Sequence, residues 1–535
     1  MTQTAAPVVA RPSSEPAPVP AASQGSVRRR IDGRAAGGLF GLVLAATALR
    51  VEGIETWYWI DEALSVGIAR HDLVEIPGLL VRDGSPPLWY FGLHGWTSMF
   101  GASVVSTHAF SLLFGVLAVP VAWVVGRRLF GGRAGWMAAA LATISPFVTY
   151  FSRETRMYSL VVVLSLLVAG SFVRGFVDGR DRERWLFTAS LVALLYTHNW
   201  GLYTGVACAF ALVLVVFAAP AEARRAHVRR ALVPFVLVAV AYLPWAPVLV
   251  SQVQNTGAPW SFTPSGRDVV RELAALFRDE RVLVGLGLAA GTGLSPLLAR
   301  RRSRDTLACA VLAVLAGVPV LLGWVLAHVE PSWATRYLAV VVAPLVLLLG
   351  LGLARARWLG VAALALAALL ILQPLSRING FPMPRDAKSN GHAVAARFAP
   401  RLAAGDLVVV AQPEAVPLFR HELGDGFVFA DPTGVVEDPT TMDWRDAEER
   451  LRATSFADGV GPLLDALEPG QRVLYVGPGN ASSSTDTTWI MAFRADGRRI
   501  QQALRGDERF TLVGRQRGSD DPYVTFDAVL YERGD

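Results

Sequence analysis

The sequence predicts an all-α polytopic membrane domain of about eleven helices, followed by a small C-terminal extracytoplasmic α/β domain. Three observations lead to this fold class. The chain is 53% hydrophobic and only 18% charged, with a mean hydropathy of +0.40, whereas a soluble protein carries about 25% charged residues. Long apolar runs alternate with short Arg-rich connections as far as residue 376. From about residue 385 the long apolar runs stop.

The lengths of the apolar runs predict the individual helices, because a membrane-spanning helix needs about 20 apolar residues. The run 185–219 is too long for one crossing, so we divide it at His198–Gly201 as a tight hairpin. The segment Pro86–Gly101 is apolar but short, which favours an interfacial or re-entrant helix. The predicted spans are 35–51, 106–126, 134–151, 157–176, 185–198, 201–219, 231–250, 282–299, 307–328, 338–354 and 358–374.

The positions of the arginines predict the orientation. Residues 1–34 are expected to form a disordered cytoplasmic tail with Arg28–Arg30 near its end. From that start, alternation places the Arg-rich connections on the cytoplasmic side, as the positive-inside rule requires. These connections are 126–133, 174–184, 222–230, 300–304 and 355–357. The first outer loop, 52–105, and the domain 385–535 then lie outside a bacterial inner membrane. Because this orientation explains the net charge of +6, we expect no nucleic-acid partner.

The C-terminal domain shows the patterns of strands and helices rather than of spans. Residues 405–423 resemble a strand followed by a helix, and 472–480 resemble a strand that ends in a turn. Residues 510–533 resemble a terminal hairpin. No residue of this domain stands out as a functional candidate.

The predicted topology gathers charged and polar residues at the outer ends of several helices. Charged groups near membrane depth are costly unless they are paired or functional. Paired carboxylates supply a general base and an orienting group, and arginines hold phosphate through forked hydrogen bonds. The pattern suggests transfer of a group from a lipid-linked phosphate. The candidates are Asp61, Glu62, Arg153, Glu154, Arg156, Tyr158, His198, Asn199, Arg336 and Tyr337.

Structural roles are open for the same residues. Asp61 and Glu62 would suit the first turn of an interfacial helix. Glu154 would form an ion pair with a neighbouring arginine, and His198 would hydrogen-bond within the hairpin. At the level of the whole protein, a membrane transporter or a lipid-linked-sugar flippase is the alternative function, and a receptor or scaffold is a third.

Two stretches resemble elements of a known family. The first outer loop, with IDEALSVGIARHDL (60–73) and SPPLWYFGLHGWTSMFG (85–101), resembles that of GT-C-fold membrane glycosyltransferases. This family includes protein O-mannosyltransferases and lipid A aminoarabinose transferases. YFSRETRMYSL (150–160) resembles a second recurrent element, and THNWG (197–201) and TRYL (335–338) resemble two shorter ones. The likeness covers roughly the first 375 residues.

The resemblance implies an inverting transfer of a sugar from a polyprenyl-phosphate donor to an acceptor hydroxyl. Asp61 would be the general base, and Glu62 would orient a substrate or help to hold a divalent cation. Arg156, with His198 or Arg336, would stabilise the leaving phosphate. Arg153, Glu154, Tyr158 and Tyr337 would complete the donor site. Mannose is favoured as the sugar, with arabinose as the alternative; the acceptor (a lipid, a glycan or a protein) and the use of a metal stay open, and no other cofactor is expected.

Overall fold

We describe the fold from a computed structural model, which describes residues 33–299, 303–372, 385, 387–479, 487–518 and 524–534. The predicted disordered tail, 1–34, falls almost wholly outside these residues, as does much of the connection 300–304.

The first part of the chain is helical throughout. Its helices are α1 (Gly33–Val51), α2 (Ile60–Arg70), α3 (Ile76–Asp83), α4 (Leu88–Phe100), α5 (Val104–Phe130), α6 (Gly132–Ile144), α7 (Pro146–Phe151), α8 (Tyr158–Phe172), α9 (Asp181–Leu195), α10 (Gly201–Ala218), α11 (Ala221–Tyr242), α12 (Ala246–Asn255), α13 (Gly266–Ala275), α14 (Glu280–Ala299), α15 (Arg304–Leu326), α16 (Ala339–Arg355) and α17 (Trp358–Leu372). A π-helical turn, Val173–Val177, continues α8, and a 3₁₀ turn, Thr335–Leu338, leads into α16.

The all-α membrane domain is confirmed, and each predicted span overlaps helix in the structure, although 134–151 and 231–250 are each divided between two helices and residues 373–374 of the last span lie outside the described residues. Among the described residues, six helical stretches are long and apolar enough to cross a membrane: α1, α5, α8 with its π-turn, α10, α15, and α16 with its 3₁₀ turn. The pair α11 and α12, bent by 60°, passes the same test only together, and α17 is a shorter apolar helix. The count of about eleven crossings and the domain boundaries stay predictions.

Two local expectations about short elements agree with the structure. The segment that begins with Pro86 forms α4, which has 13 residues and starts directly after Pro87. A helix of that length rises only about 20 Å, too little to cross the hydrocarbon layer. The run 185–219 is divided between α9 and α10, with the turn at His198–Gly201. A methyl group on Gly201 would lie 2.9 Å from the Leu194 carbonyl oxygen, so this turn requires glycine.

The C-terminal domain is a mixed α/β domain, as predicted. It contains α18 (Gly391–Phe398), β1 (Leu407–Val410), α19 (Val416–Leu423), β2 (Val428–Asp431), β3 (Gly434–Val435), α20 (Ala447–Ala453), α21 (Gly461–Asp465), β4 (Arg472–Pro478), α22 (Thr488–Gly506), β5 (Phe510–Gln516) and β6 (Phe526–Arg533). The strand order is β3-β2-β1-β4-β6-β5. Strand β1 is parallel to β2 and β4, and β6 is antiparallel to β4 and β5.

The short helix α2 joins the two parts of the molecule. One set of its side chains, with Ile68 and Ala69, belongs to the core of the membrane domain. Another set belongs to the core of the C-terminal domain and packs with residues of β1, α19 and β4: Ile60, Ala63, Leu64 and Val66 with Val408, Phe419 and Leu474. The acidic pair of the first loop is therefore carried by a helix that both domains hold.

Candidate active site

The two acidic residues stand at the start of α2, where the helix dipole favours negative charge. Consecutive residues of an α-helix point about 100° apart. Asp61 and Glu62 therefore face different surroundings. Asp61 lines a cavity, whereas Glu62 is completely buried between the two domains.

The Glu62 carboxylate is enclosed by hydrogen-bond donors of the protein. It accepts from His108 Nε2 at 2.5 Å, from the Thr155 backbone N–H at 2.8 Å and from Lys388 Nζ at 2.8 Å. It also faces the Trp59 backbone N–H at 3.4 Å. This contact caps the start of α2, which is the structural role considered above for the acidic pair. Burial acts to raise the pKa of Glu62, but the Lys388 ammonium and then His108 outweigh it and lower the pKa to about 2.

Lys388 was missed by the sequence analysis, although the sequence contains a signal for it. Among the 50 basic residues of the chain it is the only lysine. Its side chain is 1% exposed, and Nζ donates both to Glu62 and to the Arg153 carbonyl oxygen, at 2.6 Å. A compact ammonium with three donors suits this enclosed position better than the wide, planar guanidinium of arginine. His108, within α5, was also missed, and its other ring nitrogen lies 2.7 Å from the Ile54 carbonyl oxygen.

The Asp61 carboxylate is paired with a single arginine. Its Oδ2 lies 3.4 Å from Nη2 of Arg336, which the 3₁₀ turn before α16 presents. The Arg336 guanidinium lies over the ring of Trp260, 4.6 Å from its centre, and 5.6 Å from the ring centre of Tyr337. These aromatic contacts fix the guanidinium beside the carboxylate.

The loop between α7 and α8 supplies a second arginine. Arg156 Nη1 donates to the Ser65 hydroxyl at 2.9 Å and reaches the Tyr90 hydroxyl at 3.4 Å and the Asp61 carbonyl oxygen at 3.5 Å. The guanidinium also lies 5.9 Å from the ring centre of Tyr158, the first residue of α8. Two arginines thus flank Asp61 from different elements.

His198 lies between these groups at the start of the predicted hairpin. Its Nδ1 accepts from the Trp200 backbone N–H at 3.1 Å, so the ring proton is on Nε2. An imidazole whose Nδ1 accepts a hydrogen bond is neutral and offers one N–H donor. The ring packs against Tyr337, with the ring centres 5.0 Å apart.

Two cavities meet at Arg336. Cavity 1 has a volume of about 830 Å³ and is lined mainly by apolar side chains, with Arg153 and Glu154 on its polar side. Cavity 2 has a volume of about 570 Å³. Arg336 and Trp260 line both cavities. The predicted residues that line cavity 2 are Asp61, Arg156, His198, Asn199, Arg336 and Tyr337.

Glu154 is fully buried beside cavity 1. Burial raises its pKa to about 7, with Lys388 acting in the opposite direction. Arg153, next in the chain, donates from Nη1 to the Glu52 carbonyl oxygen at 2.8 Å. Arg153 and Glu154 thus have different surroundings from Asp61. The Glu154 carboxyl, whose pKa is raised, lies beside cavity 1.

Arg278 is another residue that the sequence analysis missed. It lies between α13 and α14, lines cavity 1 and has a backbone φ of 100°. A residue other than glycine in this region of φ costs about 1–3 kcal/mol, and such strain occurs often at functional sites. Its Nη1 is buried and has no hydrogen-bond partner in the part of the chain that the structure describes. Nothing in the surrounding sequence LFRDE (276–280) marks the position, because the signal is in the backbone conformation.

The structure brings all the predicted site residues together, but in two layers. Asp61, Arg156, His198, Arg336 and Tyr337 surround cavity 2, while Tyr158 packs behind Arg156 and His198. Arg153 and Glu154 line cavity 1, and the buried Glu62 lines neither cavity. Within the described parts of the chain, no group of three or more His, Cys, Asp or Glu side chains is arranged to hold a metal ion.

Comparison with known proteins identifies the fold. Residues 84–250 match the family described as dolichyl-phosphate-mannose-protein mannosyltransferase. ArnT from Cupriavidus metallidurans, bound to undecaprenyl phosphate, is 16% identical over 93% of this chain and 98% of that chain, with a TM-score of 0.60. Its apo structure gives a TM-score of 0.61. The oligosaccharyltransferase AglB from Archaeoglobus fulgidus, in complex with an inhibitory peptide and a dolichol-phosphate, is 10% identical over 83% of this chain and 70% of that chain, with a TM-score of 0.53.

No curated protein sequence matches the chain. The structural matches nevertheless extend over both the helical domain and most of the C-terminal domain, and the family match covers α4 and the loop of Arg156. The resemblance seen in the first outer loop is thereby confirmed: the protein is a polytopic membrane protein with the fold of the GT-C glycosyltransferases.

Proposed function

We propose that the protein transfers a sugar from a polyprenyl-phosphate donor to an acceptor hydroxyl, with Asp61 as the general base. The observation that carries the proposal is the pairing of Asp61 with Arg336 where two cavities meet. A base and a cation at such a junction lie beside both substrates of a transfer reaction. We further propose that the reaction occurs on the outer face of a bacterial inner membrane, as the arginine pattern indicates.

The reaction that this geometry supports is a single displacement. Asp61 takes the proton of the acceptor hydroxyl, whose oxygen forms a bond to the anomeric carbon of the sugar. The bond from that carbon to the phosphate oxygen breaks, so the configuration is inverted and polyprenyl phosphate leaves. Arg336, Arg156 and the Nε2–H of His198 stabilise the leaving phosphate, and charge stabilisation by fixed donors is usually the largest catalytic effect.

The donor chain is assigned to cavity 1. Its apolar wall includes Leu49 of α1 and Ile371 and Leu372 of α17, which belong to apolar helices. Arg153 and Arg278 supply positive charge at the polar side of the same cavity. Two of the similar structures contain undecaprenyl phosphate and a dolichol-phosphate. Mannose is proposed as the sugar, in agreement with the description of the matching family.

Glu62 receives a different role from the one suggested by the resemblance. Its oxygens accept hydrogen bonds from the protein, so we propose that it positions α2 and thereby Asp61, rather than touching a substrate. A divalent cation is not required by this scheme, and the question of a metal stays open.

The first experiment compares wild type with Asp61→Asn in membranes supplied with labelled polyprenyl-phosphate mannose. Release of polyprenyl phosphate and transfer of the label are both followed. Loss of a general base is expected to slow both about 10²–10⁴-fold. Asp72→Asn, a change in the loop after α2, is the matched control and should retain wild-type rates. Equal rates for wild type and Asp61→Asn would remove Asp61 from the mechanism.

The same assay separates the proposal from the flippase alternative. A flippase moves a lipid-linked sugar across the membrane and leaves the bond between sugar and phosphate intact. Release of polyprenyl phosphate by wild type therefore supports a transferase. Movement of intact donor without release would contradict the proposed function.

A further inference from the structure

Cavity 2 joins the Asp61 site to the membrane-facing side of the helical domain. Its wall opposite Asp61 is made by the ends of α10, α12 and α15. Both α10 and α15 are candidate spans, and α12 is the second half of the bent helix pair. Val253 of α12 is 64% exposed and Val329, just after α15, is 83% exposed. Both valines lie just beyond the predicted spans 231–250 and 307–328, at the level of the membrane interface, where exposed apolar side chains contact lipid more favourably than water.

The wall near Asp61 has the opposite character, because it presents hydrogen-bond acceptors. Gln252 is 3% exposed, and its amide nitrogen donates to the Leu80 carbonyl oxygen at 2.8 Å. Asn199 likewise uses its amide nitrogen on the Gly84 carbonyl oxygen, at 2.9 Å. These contacts determine the amide orientation, and both amide oxygens are then buried without a hydrogen-bond partner among the described residues.

Buried acceptors without partners are rare in folded proteins and call for a ligand that donates. Sugar hydroxyls are such donors. The ligand of cavity 2 therefore combines a hydroxyl-bearing head, near Asp61 and Gln252, with an apolar chain along Val253 and Val329. An extended peptide fits this cavity less well, because its backbone N–H and C=O groups would face an apolar wall at the membrane.

The chain of the donor does not account for this second apolar wall, although the leaving phosphate is proposed to lie against Arg336, Arg156 and His198 on the Asp61 side of cavity 2. The chain of the proposed donor is assigned to cavity 1, whose apolar wall comes from α1, α7 and α17. Arg336 and Trp260 stand between the two cavities. Two amphipathic ligands can therefore approach Arg336 from different cavities, and the Asp61 carboxylate beside Arg336 is reached from cavity 2.

We infer that the acceptor is a membrane glycolipid, which enters cavity 2 between α12 and α15 and presents a head-group hydroxyl to Asp61. This inference rests on the proposed function and specifies the substrate class of the same site. The proton of the acceptor hydroxyl passes to Asp61, the new glycosidic bond forms at that oxygen, and polyprenyl phosphate leaves.

The test follows where the label goes. Membranes that contain the full-length protein receive labelled polyprenyl-phosphate mannose, and products are divided into solvent-extractable lipid, protease-sensitive protein and insoluble glycan. The inference expects the label in a new extractable lipid that is more polar than the donor. Label in protein or in glycan that resists extraction, with normal release of polyprenyl phosphate, would overturn the inference and leave the proposed function intact. Absence of release by wild type would instead overturn the proposed function.

A pair of variants tests the entry route. Val253→Asp places a charge on the apolar wall of cavity 2. With solvent-extracted membrane lipid supplied as the acceptor, the expected result is a rise of about 10-fold in the apparent KM for that lipid extract. The KM for the donor should not change. Val250→Asp is the matched control, because Val250 lies on the same helix, is 54% exposed and does not line either cavity. Equal effects of the two substitutions on the acceptor KM would overturn the assignment of cavity 2.

Discussion

Asp61 and Glu62 are neighbours in the chain, but their carboxylates have different surroundings. Asp61 lines cavity 2 and pairs with Arg336, so it is available to a substrate. Glu62 is enclosed by donors from α5, from the loop before α8 and from the C-terminal domain. The rotation of about 100° between consecutive helical residues is sufficient to give the two carboxylates these different surroundings.

The buried ion pair of Glu62 and Lys388 provides the first prediction at this scale. Lys388→Met leaves a carboxylate buried without its cation, and the expected loss of stability is about 3–5 kcal/mol. The double variant Glu62→Gln with Lys388→Met removes both charges and should recover most of that loss. Thermal unfolding of the purified variants in detergent measures both effects. A double variant that is as unstable as the sum of the two single variants would contradict a direct pair.

The raised pKa of Glu154 predicts how stability depends on pH. Burial raises this pKa from the usual 4.5 to about 7, so the unfolded chain releases the proton at lower pH than the folded one. The contribution of Glu154 to the free energy of unfolding is therefore constant below about pH 4.5, falls as the pH rises to about 7 and is constant above it. The expected total decrease in the free energy of unfolding is about 3 kcal/mol.

Glu154→Gln should abolish this part of the pH dependence. The measurement is the thermal midpoint of wild type and variant between pH 4.5 and 8. We expect the midpoint of wild type to fall relative to that of Glu154→Gln across this interval. Parallel curves for the two proteins would show that Glu154 does not titrate in the folded state as its burial requires.

At the scale of elements, helix α2 is held in position by packing on two sides. It packs into the cores of the membrane domain and the C-terminal domain, and it approaches the backbone of the C-terminal domain closely at Gly67. A methyl group on Gly67 would overlap the Thr440 carbonyl oxygen, which is a backbone atom and cannot rotate away. The glycine thus permits the contact that sets the position of the acidic pair.

Gly67→Ala is expected to lower both stability and transfer, although alanine is the better helix former. The gain in helix propensity is about 1 kcal/mol, which is smaller than the cost of separating two packed segments. Gly78→Ala in α3 is the matched control, since a methyl group there would meet nothing within 4 Å. This control should leave stability unchanged or raise it slightly. Equal behaviour of the two variants, in thermal unfolding and in the transfer assay, would argue against the close approach at Gly67.

At the scale of the whole molecule, the C-terminal domain is part of the site rather than an appendage. Lys388 reaches Glu62, and Trp444 lines cavity 2. Backbone hydrogen bonds also join the two parts, from the Trp444 N–H to the Arg82 carbonyl oxygen at 3.0 Å and from the Asp446 N–H to the Asn255 carbonyl oxygen at 2.8 Å. Apolar packing, an ion pair and backbone bonds together hold the domain on the first loop.

A cut in the chain tests how strongly the two parts associate. We propose to insert a protease site between residues 376 and 384 and to cleave the purified, folded protein. The two fragments should remain together through size-exclusion chromatography in detergent, and transfer activity should persist. The same cut in the Gly67→Ala background should release more of the C-terminal fragment. Immediate separation of the fragments in the otherwise unchanged sequence would show that the covalent connection holds the domain in place.

Local sequence patterns predict much of this protein. Hydropathy and run length predict the helices, because each span must bury its own backbone polar groups whatever its neighbours are. Similarly local signals predict the hairpin at His198–Gly201, the strand and helix of 405–423 and the terminal hairpin of 510–533. The candidates Asp61, Arg156, His198 and Arg336 were found because charged residues at helix ends are unusual in such a sequence.

Only the tertiary structure shows what these residues contact. Lys388 and Glu62 are separated by 326 positions, and no local pattern relates them. The strained backbone of Arg278, the two cavities that meet at Arg336 and the close approach at Gly67 all arise from packing between distant segments. The sequence by itself determined the fold class and singled out most residues of the candidate site. The division of labour between Asp61 and Glu62 was decided by packing, because a carboxylate's role depends on which charges and cavities the folded chain places around it.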